Sequence, residues 1–180
     1  VSCAEGEVGR VYDKQLKFSI RKTDLKNMKT PKTKIMMNVG TPASAFFVSQ
    51  IPNSGVGLAR EEFIVAESVG VHPLALMNFA KQPKKIQEKI HNITAAYSSP
   101  KEYFVSKLAE GIGMIAAAFN PHDVILRFSD FKSNEYATML GGEQYEPEEE
   151  NPMIGWRGAS RYYDPQFMPA FEMECKAIKR

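Results

Sequence analysis

The sequence predicts an α/β fold built on buried parallel strands, and two observations carry that expectation. The runs Gly-Val-Gly-Leu-Ala-Arg-Glu-Glu-Phe at 55–63 and Val-Ile-Leu-Arg-Phe-Ser-Asp-Phe-Lys-Ser-Asn-Glu at 124–135 are both apolar stretches that end in an arginine followed closely by acids. Short apolar runs bounded by Gly, Asn, Pro and His read as strands covered on both faces, the pattern of parallel sheets. The second observation is the helical stretch from about His72 to Phe119 that separates the two runs. A charge at the carboxyl end of a parallel strand stands where α/β barrels build their active sites.

Taken in order, residues 1–20 alternate well enough for two strands, Val8 to Tyr12 and Leu16 to Ile20, joined by a polar turn. Residues 21–33 are polar and basic with almost no apolar period, which predicts a linker and a boundary near 33. Lys-Ile-Met-Met-Asn-Val at 34–39 predicts a buried strand stopped by Gly40, and 43–50 a short helix. Residues 61–68 read as helical. Ile86, Ile90, Ile93 and Tyr97 mark one face of an amphipathic helix. A second helix starts at Ser99 as N-cap, with Pro100 at N1 and Glu102 placed to complete a capping box. Its stripe is Phe104, Leu108, Ile112, Ile115 and Phe119. Gly111 and Gly113 weaken it by up to about 1 kcal/mol each unless close packing requires them. The run Glu-Gln-Tyr-Glu-Pro-Glu-Glu-Glu at 143–150 reads as a solvated loop. A last helix is expected from near Pro169, with Phe167, Phe171, Cys175 and Ile178 at helical spacing.

A chain of 180 residues can bury one good core, and 43% hydrophobic with 11% aromatic residues is a globular composition. A net charge of +2 does not argue for nucleic acid or an anionic membrane as partner. Cys3 and Cys175 make neither a disulfide framework nor a metal-ligand spacing. They read as small buried apolar residues in a reducing cytoplasm. There is no signal peptide and no apolar run of membrane-spanning length. The chain opens on Val-Ser-Cys rather than Met, and a piece of a longer protein is expected.

The chemistry concentrates in arginines. Arg60 and Arg127, at matching strand ends, suit a small dianion, because planar guanidinium forks fit carboxylate and phosphate oxygens. The ordinary alternative is structural pairing of each with its neighbours, Glu61 or Glu62 and Asp130 or Glu135. Arg157 and Arg161 form a second pair four residues apart on a helix face, with Gly155 and Gly158 beside Arg157. Lys132, Ser133, Asn134 and Glu135 offer donors and acceptors just beyond Arg127. His72, His91 and His122 read as structural or solvent-facing. No Walker A or dinucleotide glycine motif occurs.

Segments 34–40, 55–63, 71–73 (Val-His-Pro), 124–135 and 141–158 together resemble, in order, the phosphoenolpyruvate synthase (pyruvate, water dikinase) family. The string Leu-Arg-Phe-Ser-Asp-Phe-Lys-Ser-Asn-Glu-Tyr is the most specific part of the likeness. The Gly-x-Gly-Leu-x-Arg-x-Glu and Asn-Pro-Met-x-Gly-x-Arg patterns are shared with pyruvate, phosphate dikinase and enzyme I of the sugar phosphotransferase system.

The resemblance implies a fold and a domain plan. Residues 1–20 would close a swivelling phosphohistidine domain, and 21–33 would be a linker. Residues 34–180 would be the first strands of a (β/α)8 TIM-type barrel with a helical insertion. A full barrel takes about 250 residues, so this one is incomplete. The implied reaction is ATP + pyruvate + water giving AMP + phosphoenolpyruvate + phosphate. Arg60 and Arg127 match the family's substrate-binding arginines. Arg157 is assigned to the same site, with Glu62, Asp130 and Asn134 orienting the guanidinium groups. Magnesium and ATP belong to the intact enzyme, and none is expected on this chain alone, whose implied metal ligands and proton-transfer cysteine come from later strands. Neither Cys3 nor Cys175 matches that cysteine. No catalytic residue is therefore assigned, and the chain alone is expected to be inert. Implied partners are pyruvate or phosphoenolpyruvate, the phosphohistidine domain and the rest of the barrel. Open strand edges predict self-association. Barrels of the two related enzymes, and a non-catalytic anion-binding or assembly module, are the alternatives.

Overall fold

The computed structural model describes residues 9–25, 28, 29 and 31–180. The chain divides into two compact units, one ending at Thr30 and one spanning Pro31–Arg180. In the first unit no strand forms among the described residues. Val8 lies outside them, and Leu16 to Ile20 is irregular, with Leu16, Phe18 and Ile20 exposed. An alternating pattern becomes a strand only with a neighbour for its ladder and something to bury its apolar face, and among the described residues 16–20 has neither.

The second unit is a mixed α/β structure around a three-stranded parallel sheet, in the order β1 (Met37–Val39), β2 (Val56–Arg60), β3 (Val124–Arg127). Each strand pairs with its predecessor in sequence. Helix α1 (Pro42–Val48) connects the first two. The second crossover holds α2 (Glu61–Ile64), a π-turn at Val65–Val69 closed by Gly70 at φ 68°, α3 (Pro73–Met77), α4 (Lys84–Thr94) and α5 (Pro100–Phe119). After β3 come α6 (Ser133–Ala137), α7 (Ala159–Tyr162) and α8 (Met168–Lys179).

Helix α5 is the spine. The Ser99 hydroxyl accepts from the Glu102 N–H at 3.1 Å, and Pro100 fills the first helical position. The return half of the capping box does not form, because the Glu102 carboxylate turns to Arg180 (2.6 Å) and to the Ser106 hydroxyl (2.9 Å). Phe104, Leu108, Ile115 and Phe119 are buried, with Ile112 at the margin. Gly111 has its packing reason: a Cβ there would stand 2.4 Å from Ile64 Cγ2 and 3.3 Å from Pro42 Cγ. Helix α5 packs on α1, α2, α3, α4 and α8 and touches β3, so one long helix gathers most of the helical layer.

Several expectations are corrected. β3 is an edge strand with alternating partial burial, and Ile125 is 54% exposed, because only β2 flanks it. The buried face of α8 is Ala170, Met173, Glu174 and Ala177, one step round from the expected stripe, which leaves Cys175 and Ile178 outside. Cys175 is thus an exposed free thiol, and Cys3 lies outside the described residues. The acidic run 143–150 is no solvated loop throughout, since the Glu146 side chain is fully buried against Arg161. Among the described residues no helix is long and apolar enough to cross a membrane.

Candidate anion site

The two strand-end arginines are brought together by register. Val56 pairs with Val124, Ala59 with Leu126, and Arg60 stands directly opposite Arg127. Neighbouring strands lie about 4.8 Å apart, so two like charges share one end of one sheet. Juxtaposed cations cost stability unless anions offset them. Both arginines line a cavity of about 710 Å³ at the carboxyl ends of β2 and β3, together with Glu62, Asp130, Lys132, Glu135 and Arg157. Phe63, Phe131, Met139 and Met153 supply its apolar wall.

Three consecutive residues at the end of β2 point three ways. Arg60 is exposed to the cavity and lays its guanidinium over the Phe63 ring, 4.5 Å from the centroid. No acid pairs with it among the described residues. Glu61 turns inward and is fully buried. Glu62 faces the cavity and accepts a hydrogen bond from Arg127 Nη2. The helical turn of α2, starting directly at the strand end, produces this fan.

Arg127 also lies 3.6 Å from Asp130 Oδ2. Arg157 grips Asp130 with both forks, Nε to Oδ1 and Nη2 to Oδ2, each at 2.9 Å. That guanidinium holds the Asp130 carboxyl below the usual aspartate range. Lys132 and Glu135 pair across the first turn of α6, Nζ to Oε1 at 2.9 Å. Arg127, Asp130 and Arg157 therefore form a continuous ladder of alternating charge, with Glu62 at its end and Arg60 beside it as the cation without a carboxylate.

Of the residues singled out in the sequence, Arg60, Glu62, Arg127, Asp130 and Arg157 share the cavity. Asn134 does not: it is exposed on α6 and is not part of the lining. Arg161 is separated from Arg157 as well. The turn through Gly158, at φ 57°, sends Arg161 into the core, where it is 1% exposed. Phe63 was not anticipated, although its position three residues after Arg60 on a helical turn is the signal that finds it.

The residue between Arg60 and Glu62 belongs to a buried carboxyl pair. Glu61 and Glu174 are both fully buried and face one another. Glu174 Oε1 accepts from the Ser129 hydroxyl at 2.6 Å, while its other oxygen and both oxygens of Glu61 have no hydrogen-bond partner of normal geometry. Burial raises the pKa of both, and their mutual repulsion raises that of Glu61 further, so Glu61 is held neutral.

The acids of this site do not fit a magnesium ion. Glu62 and Asp130 are turned onto guanidinium groups, and among the described residues no three His, Cys, Asp or Glu side chains gather as ligands. The arrangement is suited instead to a small oxyanion, held by charge and oriented by planar donors.

A family model described as PEP-utilising enzyme, PEP-binding domain, matches residues 14–180. Proteins named phosphoenolpyruvate synthase are similar along the whole chain. The relative from Pseudomonas aeruginosa is 54% identical over 180 residues, covering 100% of this chain and 23% of its own length. That from Helicobacter pylori is 54% identical over 179 residues, covering 99% of this chain and 22% of its own. That from Escherichia coli is 51% identical over 180 residues, covering 100% and 23%. The chain thus spans under a quarter of the length of these relatives.

Proposed function

This chain belongs to the PEP-utilising enzyme family, and on that premise we propose that it supplies the phosphoenolpyruvate- and pyruvate-binding end of a pyruvate, water dikinase. The reaction assigned is ATP + pyruvate + water giving AMP + phosphoenolpyruvate + phosphate. Arg60, Arg127 and Arg157 bind the three-carbon acid. One observation carries the reading: Arg60 and Arg127 are cross-strand partners at the carboxyl ends of adjacent parallel strands, opening on one cavity. Substrates of α/β sheets are held at that end of the strands.

The strand order β1-β2-β3, each beside its predecessor, supports reading residues 34–180 as the opening of a (β/α)8 barrel, since a doubly wound sheet reverses its order. Residues 1–33 are then the end of a swivelling phosphohistidine domain and its linker. Phosphoryl transfer asks the protein chiefly for positioning and charge. Arg60, the cation without a carboxylate, meets the incoming anion, while Arg127 and Arg157 are already aligned by Glu62 and Asp130 and need no reorganisation. As the phosphoryl group reaches the enolate oxygen of pyruvate, these fixed donors stabilise the charge moving onto the product.

The test is a calorimetric titration of the chain with phosphoenolpyruvate and, separately, with oxalate, a planar mimic of the pyruvate enolate. Binding is expected for the unaltered chain and lost in the double variant Arg60→Ala/Arg127→Ala. A double variant that binds as tightly as the unaltered chain sinks the assignment.

A further inference from the structure

Arg161 and Glu146 form a salt bridge that solvent does not reach, with side-chain exposures of 1% and 0%. The contact is bidentate, Nη1 to Oε1 at 2.6 Å and Nη2 to Oε2 at 2.7 Å. His72, also fully buried, donates from Nε2 to Glu146 Oε1 at 2.9 Å. Its tautomer is set by the Leu74 N–H, which occupies Nδ1 at 3.2 Å. Trp156, Tyr136 and Phe167 surround the guanidinium at 3.9, 4.8 and 4.9 Å. Burying such a pair costs several kcal/mol per ion, and apolar side chains of similar volume often serve stability as well or better. Stability alone does not account for it.

What an apolar residue cannot supply is a directed donor. Arg161 Nη2 also donates to the Trp156 carbonyl at 2.8 Å, the peptide group that leads into Arg157. The Trp156 N–H in turn donates to Glu149 Oε1 at 2.7 Å. On the other side of Arg157, its own carbonyl accepts from the Ser160 hydroxyl at 2.8 Å. Residues 155–158 belong to no helix or sheet ladder, so these side chains set the path of the backbone there. We propose that Arg161 is a positioning residue for the anion site: anchored by Glu146 and His72, it holds the Trp156 carbonyl and so fixes the point from which Arg157 reaches Asp130. The proposal rests on the phosphoenolpyruvate-site reading only for its ligand arm.

The test uses Arg161→Lys, which keeps the charge and loses the fork, alone and combined with Arg157→Ala. Two readouts are taken. The first is the Nε–Hε signal of Arg157 in nitrogen-15 correlation spectra of the arginine side chains, which reports its 2.9 Å bond to Asp130. The second is phosphoenolpyruvate affinity by calorimetry. Arg161→Lys is expected to shift or broaden the Arg157 signal and to weaken binding about tenfold, with almost no further loss in the Arg157→Ala background, as expected for residues acting as one unit. An unmoved Arg157 signal, or an equal loss in both backgrounds, overturns the proposal. Should Arg161→Lys fail to fold, Glu146→Gln tests the same chain from its anchor with the same two outcomes. If Arg157→Ala leaves affinity unchanged, the anion-site reading fails, while the side-chain signal still decides the positioning role.

Discussion

Replacing Arg60 by Ala should weaken phosphoenolpyruvate binding while leaving the fold almost untouched, and replacing Arg127 should do both kinds of damage. The cavity lining carries four cationic side chains against three carboxylates, so Arg60 accounts for its single net positive charge. Without it the lining is neutral, and one charge-assisted contact worth about 1.5–3 kcal/mol is gone. That corresponds to about 10- to 150-fold in Kd. The side chain is exposed and its partner among the described residues is the face of Phe63, so unfolding free energy should move by less than about 0.5 kcal/mol. Arg127→Ala also removes one cation, but strands Glu62, whose side chain is only 15% exposed. A carboxylate left without its partner repels the ligand and costs about 1–3 kcal/mol of stability. Calorimetry at low and moderate salt, beside a denaturant titration, separates the two variants. Unchanged affinity in Arg60→Ala, or equal losses of stability in both, would refute the division of labour between free and paired guanidinium groups.

Two further outcomes follow from packing. The Glu61–Glu174 pair should make stability fall with rising pH: both pKa values are raised by folding, so their contribution is complete below the ordinary glutamate value of 4.5 and is lost as pH climbs through neutrality. The slope is bounded by about 1.4 kcal/mol per pH unit for each proton held only by the fold. Glu61→Gln should flatten the curve between about pH 5 and about pH 8 and gain most at the upper end, and an unchanged slope in denaturant titrations would count against the pair being protonated. Gly111→Ala, favourable by helix propensity, should instead destabilise by about 1–3 kcal/mol through the clash with Ile64, whereas Gly113→Ala, with open space around it, should not; equal melting temperatures would contradict the packing.

The strand-end arginines were legible because period, boundary residues and charge all mark the same two points, and a parallel sheet leaves little choice about where Arg60 and Arg127 lie. The start of α5 was legible for a similar reason: Ser99 and Pro100 act within one turn of themselves. What escaped is what depends on partners far along the chain. Glu146 sits in a run that looks made for water, and its burial is decided by Arg161, fifteen residues on, and by His72, seventy-four before it. Glu61 is one of two adjacent acids, and only the direction in which α2 leaves the strand decides which of them goes inward. The apolar run of β3 was right for a strand, but burial on both faces needs neighbours on both sides, and only β2 flanks it. Leu16 to Ile20 likewise carries a strand's alternation without a partner to pair with among the described residues.

The register that seats Arg60 opposite Arg127 turns the sheet into a caliper. The two Cα atoms stand one inter-strand step apart, about 4.8 Å, a distance written into backbone hydrogen bonds rather than into side chains. The cavity wall can therefore drift in shape, at Met139 or Met153, without moving the two backbone points from which the arginine side chains rise.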